Sequence, residues 1–379
     1  MELSVPIKFN DIVTDKNINE AYRIIRKNTI HRRKLTVFEM YYLSNIFNIK
    51  NNLYNNTYTH QSYNIFLVQE PKYRIIMSEK LYDKIINHLI SKFVLKPCID
   101  KILISSNVAT REDKGSKAAI DYMKYYVNKL KFNADNIYIL KCDIAKYFFN
   151  IDHNILFEMI DKFKIDTKLK IIIKNIIDST DNINSNKDID IIVNREKERL
   201  LNKNIDCNNA IKELDRLPRY YKGKGLPIGN MSSQLLALLY LNGLDHFVKE
   251  KLHIKYYIRY MDDFLLISDD KEYLKYCLKE ITKYIENKLL LKLNNKTQIY
   301  NLSKGINFLG YRYILKDKKL IMLPTSKNKI KIRKKLKKLK NTDYHKYQLT
   351  KISYRGYFMN CNQDIDKYLQ KVKYITKKV

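Results

Sequence analysis

The chain has 379 residues, 45% of them hydrophobic, so it can bury a sizeable core and wholesale disorder is excluded. Lys and Arg outnumber Asp and Glu by 72 to 40; a net charge of +32 calls for a polyanionic partner, nucleic acid before an anionic membrane, unless it reflects only a general lysine bias. Five scattered cysteines without a C-x-x-C pair exclude a zinc ribbon and a disulfide scaffold, and no secretory leader or membrane-length apolar run is visible, so a cytoplasmic protein is expected.

In chain order, residues up to about 60 read as helical and polar. Glu70-Pro71-Lys72-Tyr73-Arg74-Ile75-Ile76 reads as extended, from its proline and β-branched content. Ile86, Leu89, Ile90 and Phe93 share a helical face, and a second helical pattern runs through Tyr122, Tyr126 and Leu130. The run from Ile137 to Ile144 predicts a buried strand, and Asp152 the N-cap of a helix bearing Leu156, Ile160 and Phe163. Residues 179–216 are polar, charged and Asn-rich, and are expected to be an insertion or a surface helical excursion rather than core. A turn at Gly223 to Gly229 leads into an apolar helix around Leu235 to Leu241. Tyr256 to Tyr260 and Asp263 to Ile267 predict a hairpin turning at Met261-Asp262. A helix from Tyr273 to Leu290, short strands from Ile306 to Leu323 and a basic helical C-terminus complete the series. That order describes an α+β protein with a central antiparallel sheet.

Two acidic sites sit where acids are costly. Asp143 ends an apolar strand, and Asp262 and Asp263 tip a hairpin between hydrophobic arms. Taken singly each could be a turn or helix-approach aspartate. Taken together, buried carboxylates are tolerated when they hold a hard divalent cation.

These residues carry a family resemblance. Tyr260-Met261-Asp262-Asp263 resembles the YxDD signature of reverse transcriptases, and Asp143-Ile144-Ala145-Lys146-Tyr147-Phe148 resembles their first catalytic motif. Glu70 to Arg74 is similar to the fingers strand that holds the triphosphate, and Arg111 to Ala118 to the next fingers motif. Lys292 to Lys296 matches the segment after the catalytic hairpin, and Phe308-Leu309-Gly310-Tyr311 the primer grip. The resemblance runs from about Tyr63 to about Tyr368, in the family's order. It implies a right-hand polymerase with fingers, an antiparallel palm and a helical thumb, acting as an RNA-directed DNA polymerase.

The resemblance also assigns roles. Asp143, Asp262 and Asp263 would be catalytic and, with Ile144, would hold two Mg²⁺ ions, Mn²⁺ being the alternative. Lys72, Arg74, Phe148, Ile228, Gly229, Gln234 and Lys296 would form the dNTP site, with Phe148 as the gate against a ribose 2′-hydroxyl unless it is only a core phenylalanine. Template RNA, the RNA/cDNA duplex and dNTPs would be the partners, and no membrane.

Ile228-Gly229, three residues, then Ser233-Gln234 replaces the usual Q-G-x-x-x-S-P and resembles the reverse transcriptases of diversity-generating retroelements, which are error-prone opposite adenine. The alternatives are an antiviral-defence reverse transcriptase and, more remotely, an RNA-binding scaffold of the same descent. A small basic accessory protein or a structured noncoding RNA would accompany the first two.

From Ser326 to Lys340 there are nine basic residues and no acid. Ile332, Leu336 and Leu339 share a face, leaving Lys327, Lys331, Arg333, Lys334, Lys337 and Lys338 either as a solvated surface or as a thumb helix tracking the nucleic-acid backbone. Ser353 to Phe358 resembles the second thumb element. The expected division is 1–50 as an N-terminal helical extension, 51–315 as fingers and palm with the insertion near 179–216, and 316–379 as the basic thumb.

Overall fold

The computed structural model describes residues 6–30, 32–69, 72–132, 136–181, 183–202 and 207–369. Glu70, Pro71 and residues 1–5, 203–206 and 370–379, which belong to the segments expected above, lie outside them. Contacts divide the chain into two units: one is Met1–Arg111, Ile144–Lys251 and Ile281–Asn294, the other Glu112–Asp143, Leu252–Glu280 and Asn295–Val379.

In the first unit the amino-terminal segment is helical, as its pattern predicts. The Asp15–Asn28 helix is capped by Thr14, whose hydroxyl accepts from Asn17 N–H, and buries Ile18, Ala21, Tyr22 and Ile25. Strands β1 (Asn64–Val68) and β2 (Arg74–Ser78) form an antiparallel hairpin, with Val68 opposite Arg74. A lone two-stranded hairpin is marginal in water and needs a covering layer.

That layer is the 179–216 stretch, and here the sequence expectation is corrected. It folds into helices Ile183–Leu201 and Asn208–Asp215. Their Ile189, Val193, Leu200 and Leu214 are buried in one cluster with Tyr63, Tyr73, Ile75, Met77, Phe149 and Tyr220. Ile189, Val193 and Leu200 are spaced by four and seven, so they fall on one narrow stripe. Lys187, Asp190, Asn194, Arg195, Glu198 and Arg199 of the same helix are exposed, which is why the segment reads as polar. The Met231–Tyr240 helix is the opposite case, buried over nearly its whole circumference from Ser232 to Tyr240, with Gln234 exposed.

The second unit holds two antiparallel sheets. Strands β3 (Tyr138–Cys142), β4 (Tyr256–Tyr260), β5 (Asp263–Ser268) and β6 (Gln298–Asn301) are ordered β4-β5-β3-β6. Strands β7 (Ile306–Phe308), β8 (Tyr311–Lys316) and β9 (Lys319–Pro324) form the other sheet. The Gly115–Leu130 helix buries Ala119, Ile120, Met123, Tyr126 and Val127, with the Tyr126 ring 5.0 Å from that of Tyr256 on β4. The basic Ser326–Thr342 helix packs against Tyr344–Met359 through Ile332, Leu336 and Phe358, with Ile365 from beyond the second helix in the same cluster. Thr325 and Asp343 cap the two helices.

The α+β class with a central antiparallel sheet stands. The expected boundaries at 50/51 and 315/316 lie within the Tyr42–Tyr54 helix and β8. Among the described residues no helix is long and apolar enough to cross a membrane.

Candidate active site

The carboxylates are placed by strand register. β3 pairs with β5 from Tyr138 opposite Ser268 to Cys142 opposite Phe264. Carried one residue further, that register sets Asp143 opposite Asp263. β4 and β5 close through Tyr260 opposite Asp263, leaving Met261 and Asp262 as a two-residue turn. Met261 takes the left-handed conformation at φ 58°, which a non-glycine residue adopts only when its surroundings enforce it. Part of that enforcement comes from Arg259, fully buried on β4, whose guanidinium donates to the Met261 carbonyl at 3.0 Å.

Asp263 has two unlike oxygens. Oδ2 lies 3.0 Å from the Lys141 ammonium. Oδ1 is buried and has no hydrogen-bond partner. Burial pushes the Asp263 carboxyl up to about 6; Lys141 opposes the shift and the charge of Asp143 adds to it. An orphaned lone pair on a half-buried carboxylate, beside a second carboxylate, fits a hard divalent cation. The donor set therefore suits the ion. Lys296, exposed, precedes Thr297, whose hydroxyl accepts weakly from Asp143 N–H at 3.5 Å.

The expected substrate residues of the first unit are gathered by one loop. Gly225 N–H donates to the Ile151 carbonyl and Leu226 N–H to that of Phe148, at 2.8 and 2.7 Å. Two residues on, Met77 N–H of β2 donates to the Ile228 carbonyl at 2.8 Å. Gly229, at φ 142°, follows against β2, where any Cβ would collide with the Met77 carbonyl. Phe148 and Ile228, both half-buried, are thus tied through the backbone to the strand that begins at Arg74. Lys72 and Arg74 are exposed. Ile144 is bridged to Leu293, its side chain buried, so only its main-chain carbonyl could meet an ion. The six basic residues expected on the thumb helix are all exposed.

Other polar residues emerge only from the coordinates. Among the described residues, one group of three potential ligand side chains has its ligand atoms all within 4.8 Å: His153, Asp178 and Asp181. The three expected catalytic aspartates are not drawn that close. His153 bridges the Gly225 carbonyl at 2.8 Å and the Asp178 carboxylate at 3.1 Å, and Asp181 accepts from Gly223 N–H at 2.9 Å. With every member holding a backbone or side-chain partner, the cluster clamps the Gly223–Gly229 loop. Nothing local in the sequence signals it, because His153 and the Gly225 carbonyl it meets lie 72 residues apart.

The reverse transcriptase (RNA-dependent DNA polymerase) family model matches residues 68–313. No curated protein matches the chain. Two solved structures similar to it are telomerases. One is from Candida albicans, in complex with the TWJ fragment of telomeric RNA, at 14% identity and TM-score 0.43 over 71% of this chain and 46% of that one. The other is apo telomerase from Candida tropicalis truncated from its C-terminal domain, at 16% identity and TM-score 0.43 over 68% and 54%. The chain spans about half the length of these telomerases.

Proposed function

The chain belongs to the reverse transcriptase (RNA-dependent DNA polymerase) family, and from that premise we propose that it copies a template RNA into cDNA for a diversity-generating retroelement. RNA-directed DNA polymerase activity, a nucleotidyl transfer, goes with the family. The site reading is supported by the β3–β5 register, which ends at Cys142 opposite Phe264, the immediate neighbours of Asp143 and Asp263, and by the orphaned Oδ1 of Asp263.

In this reading Asp143, Asp262 and Asp263, with the Ile144 carbonyl, hold two divalent cations, Mg²⁺ or in its place Mn²⁺. When bound, such ions activate a primer 3′-hydroxyl and steady the leaving pyrophosphate. Lys72 and Arg74, with Lys296, neutralise the triphosphate. Gly229 lets the backbone pass close to β2, so that Ile228 and Gln234 are offered to the nascent pair. Residues 51–315 serve as fingers and palm and 316–379 as thumb, in the cytoplasm, with a small basic protein or a structured RNA as accessory. The direct test is primer extension with dNTPs on an RNA template: extension that requires a divalent ion is expected, and its absence with every template and ion would remove the reading.

Phe148 carries the sugar discrimination. Its carbonyl accepts from Leu226 N–H, and its half-buried ring meets that of Tyr147 edge to face at 5.6 Å. Phe148→Ala is expected to raise rNTP relative to dNTP incorporation by on the order of 10²-fold, since the obstacle to the 2′-hydroxyl is gone. An unchanged ratio would show that the ring is only packing.

Ile228 carries the subfamily assignment. An apolar surface beside the templating base restrains it less than the hydrogen bonds of a glutamine, a difference of about 1–3 kcal/mol for a well-placed polar contact. Ile228→Gln is therefore expected to lower misincorporation roughly tenfold, most of all opposite template adenine. Sequenced cDNA decides it. Wild-type cDNA already faithful opposite adenine would put antiviral defence in place of the retroelement.

A further inference from the structure

Lys141 lies on β3 two residues before Asp143. Successive strand residues face opposite sides, so Lys141 and Asp143 share one face while Leu140 and Cys142 are buried on the other. The residue opposite Lys141 is Leu265, which makes Asp263 its diagonal neighbour on the same face, within reach of a long side chain. The ammonium uses two of its three donors on quite different parts of the unit. One goes to Asp263 Oδ2 at 3.0 Å, the other to the main-chain carbonyl of Asn307 on β7 at 3.1 Å. The nitrogen also stands 5.7 Å from the centre of the Phe308 ring. Beyond Phe308, Leu309 and Gly310 are both left-handed, at φ 47° and 85°, in the tight turn that joins β7 to β8.

We propose that Lys141 is a positioning residue that ties the Asp263 carboxylate to the β7–β8 hairpin. It thereby fixes which oxygen of Asp263 is presented to a divalent ion and where the primer-end hairpin stands relative to it. This rests on the reading of Asp143, Asp262 and Asp263 as metal ligands and of residues 308–311 as the primer grip. Holding Oδ2 stops the carboxylate from rotating, so Oδ1 keeps one direction. Methionine at 141 would keep the packing stem, remove the donors, and leave both the carboxylate and the hairpin carbonyl without their shared anchor. It would also remove a cation that repels an incoming metal. Chemistry and ion affinity should therefore move apart, which a general loosening of the fold would not produce.

The test compares Lys141→Met, Lys141→Arg and Asp263→Asn in the full chain, by primer extension and by titration with Mn²⁺ followed through the electron-spin resonance of the free ion. For Lys141→Met the expectation is kcat down about tenfold or more, dNTP KM within about twofold of wild type, and Mn²⁺ affinity equal or tighter. Lys141→Arg, whose guanidinium supplies donors to both acceptors, should regain at least about a third of the wild-type kcat. Wild-type kcat in Lys141→Met would overturn the proposal. So would Mn²⁺ affinity falling in step with kcat, or an arginine variant as impaired as methionine. Asp263→Asn separates the two levels. If it retains full Mn²⁺ binding and extension, the metal-site reading itself has failed; if it loses both while Lys141→Met behaves as wild type, only the role of Lys141 has.

Discussion

Asp263→Asn abolishes RNA-templated extension, by on the order of 10³-fold or more, while the protein in EDTA at pH 8 melts no lower than the wild type. Both halves follow from the environment of one carboxylate. The amide keeps the shape but offers no anionic oxygen to a divalent ion. The folded protein, on the other hand, holds the Asp263 carboxyl up to about 6, chiefly through burial. An acid raised in the fold opposes folding once ionised; the cost grows as pH rises from the ordinary carboxylate range through about 6 and is complete at pH 8. A neutral amide escapes it. Extension assays and thermal melts of the two proteins check both parts, and extension within tenfold of wild type would remove Asp263 from the metal site.

Raising salt from 50 to 200 mM weakens binding of single-stranded RNA by roughly 300-fold, if Lys327, Lys331, Arg333, Lys334, Lys337 and Lys338, all exposed on the Ser326–Thr342 helix, each meet one phosphate. For single strands the slope of log affinity against log salt is about −0.7 per phosphate, so six contacts give about −4. Ile332 and Leu336 are spent on packing against the next helix, which leaves those cations facing away from it. Replacing Lys331, Lys334 and Lys338 with Gln is expected to make the slope shallower by about 2. Filter-binding or fluorescence titrations across salt concentrations measure it. A slope untouched by the three substitutions would return the helix to a solvated surface and move the RNA contacts elsewhere.

The β4–β5 hairpin was legible because its information is local. Alternating apolar residues, a two-residue turn and two adjacent acids specify strands, register and tip within a dozen positions. Asp152 announced itself as a cap for the same reason, and its side chain does accept from Asn154 and Ile155 N–H. What was not legible depends on partners far along the chain. Lys141 carries no signal of its own in the sequence; the β3–β5 register makes Asp263 its diagonal neighbour. His153 reads as a first-turn residue until the Gly225 carbonyl arrives over it. The 179–216 stretch misled because a stripe of three apolar residues is enough to cover a hairpin yet too sparse to lift average hydrophobicity. Periodicity, not composition, held that signal.

The order β4-β5-β3-β6 has one more consequence. β3 and β5, which present Asp143 and Asp263, are the two inner strands, flanked on both sides by hydrogen-bonded neighbours. β1 and β2 form a sheet of two strands, held outside it by the single backbone bond from Met77 to Ile228 among the described residues. Backbone amides exchange with solvent through openings whose cost rises with the number of bonds that must break together. Deuterium should thus enter the β1–β2 hairpin long before it enters the strands beside Asp143 and Asp263. With the roles proposed above, warming would slacken the grip on the nucleotide first, and the framework for the ions would be among the last parts to come undone.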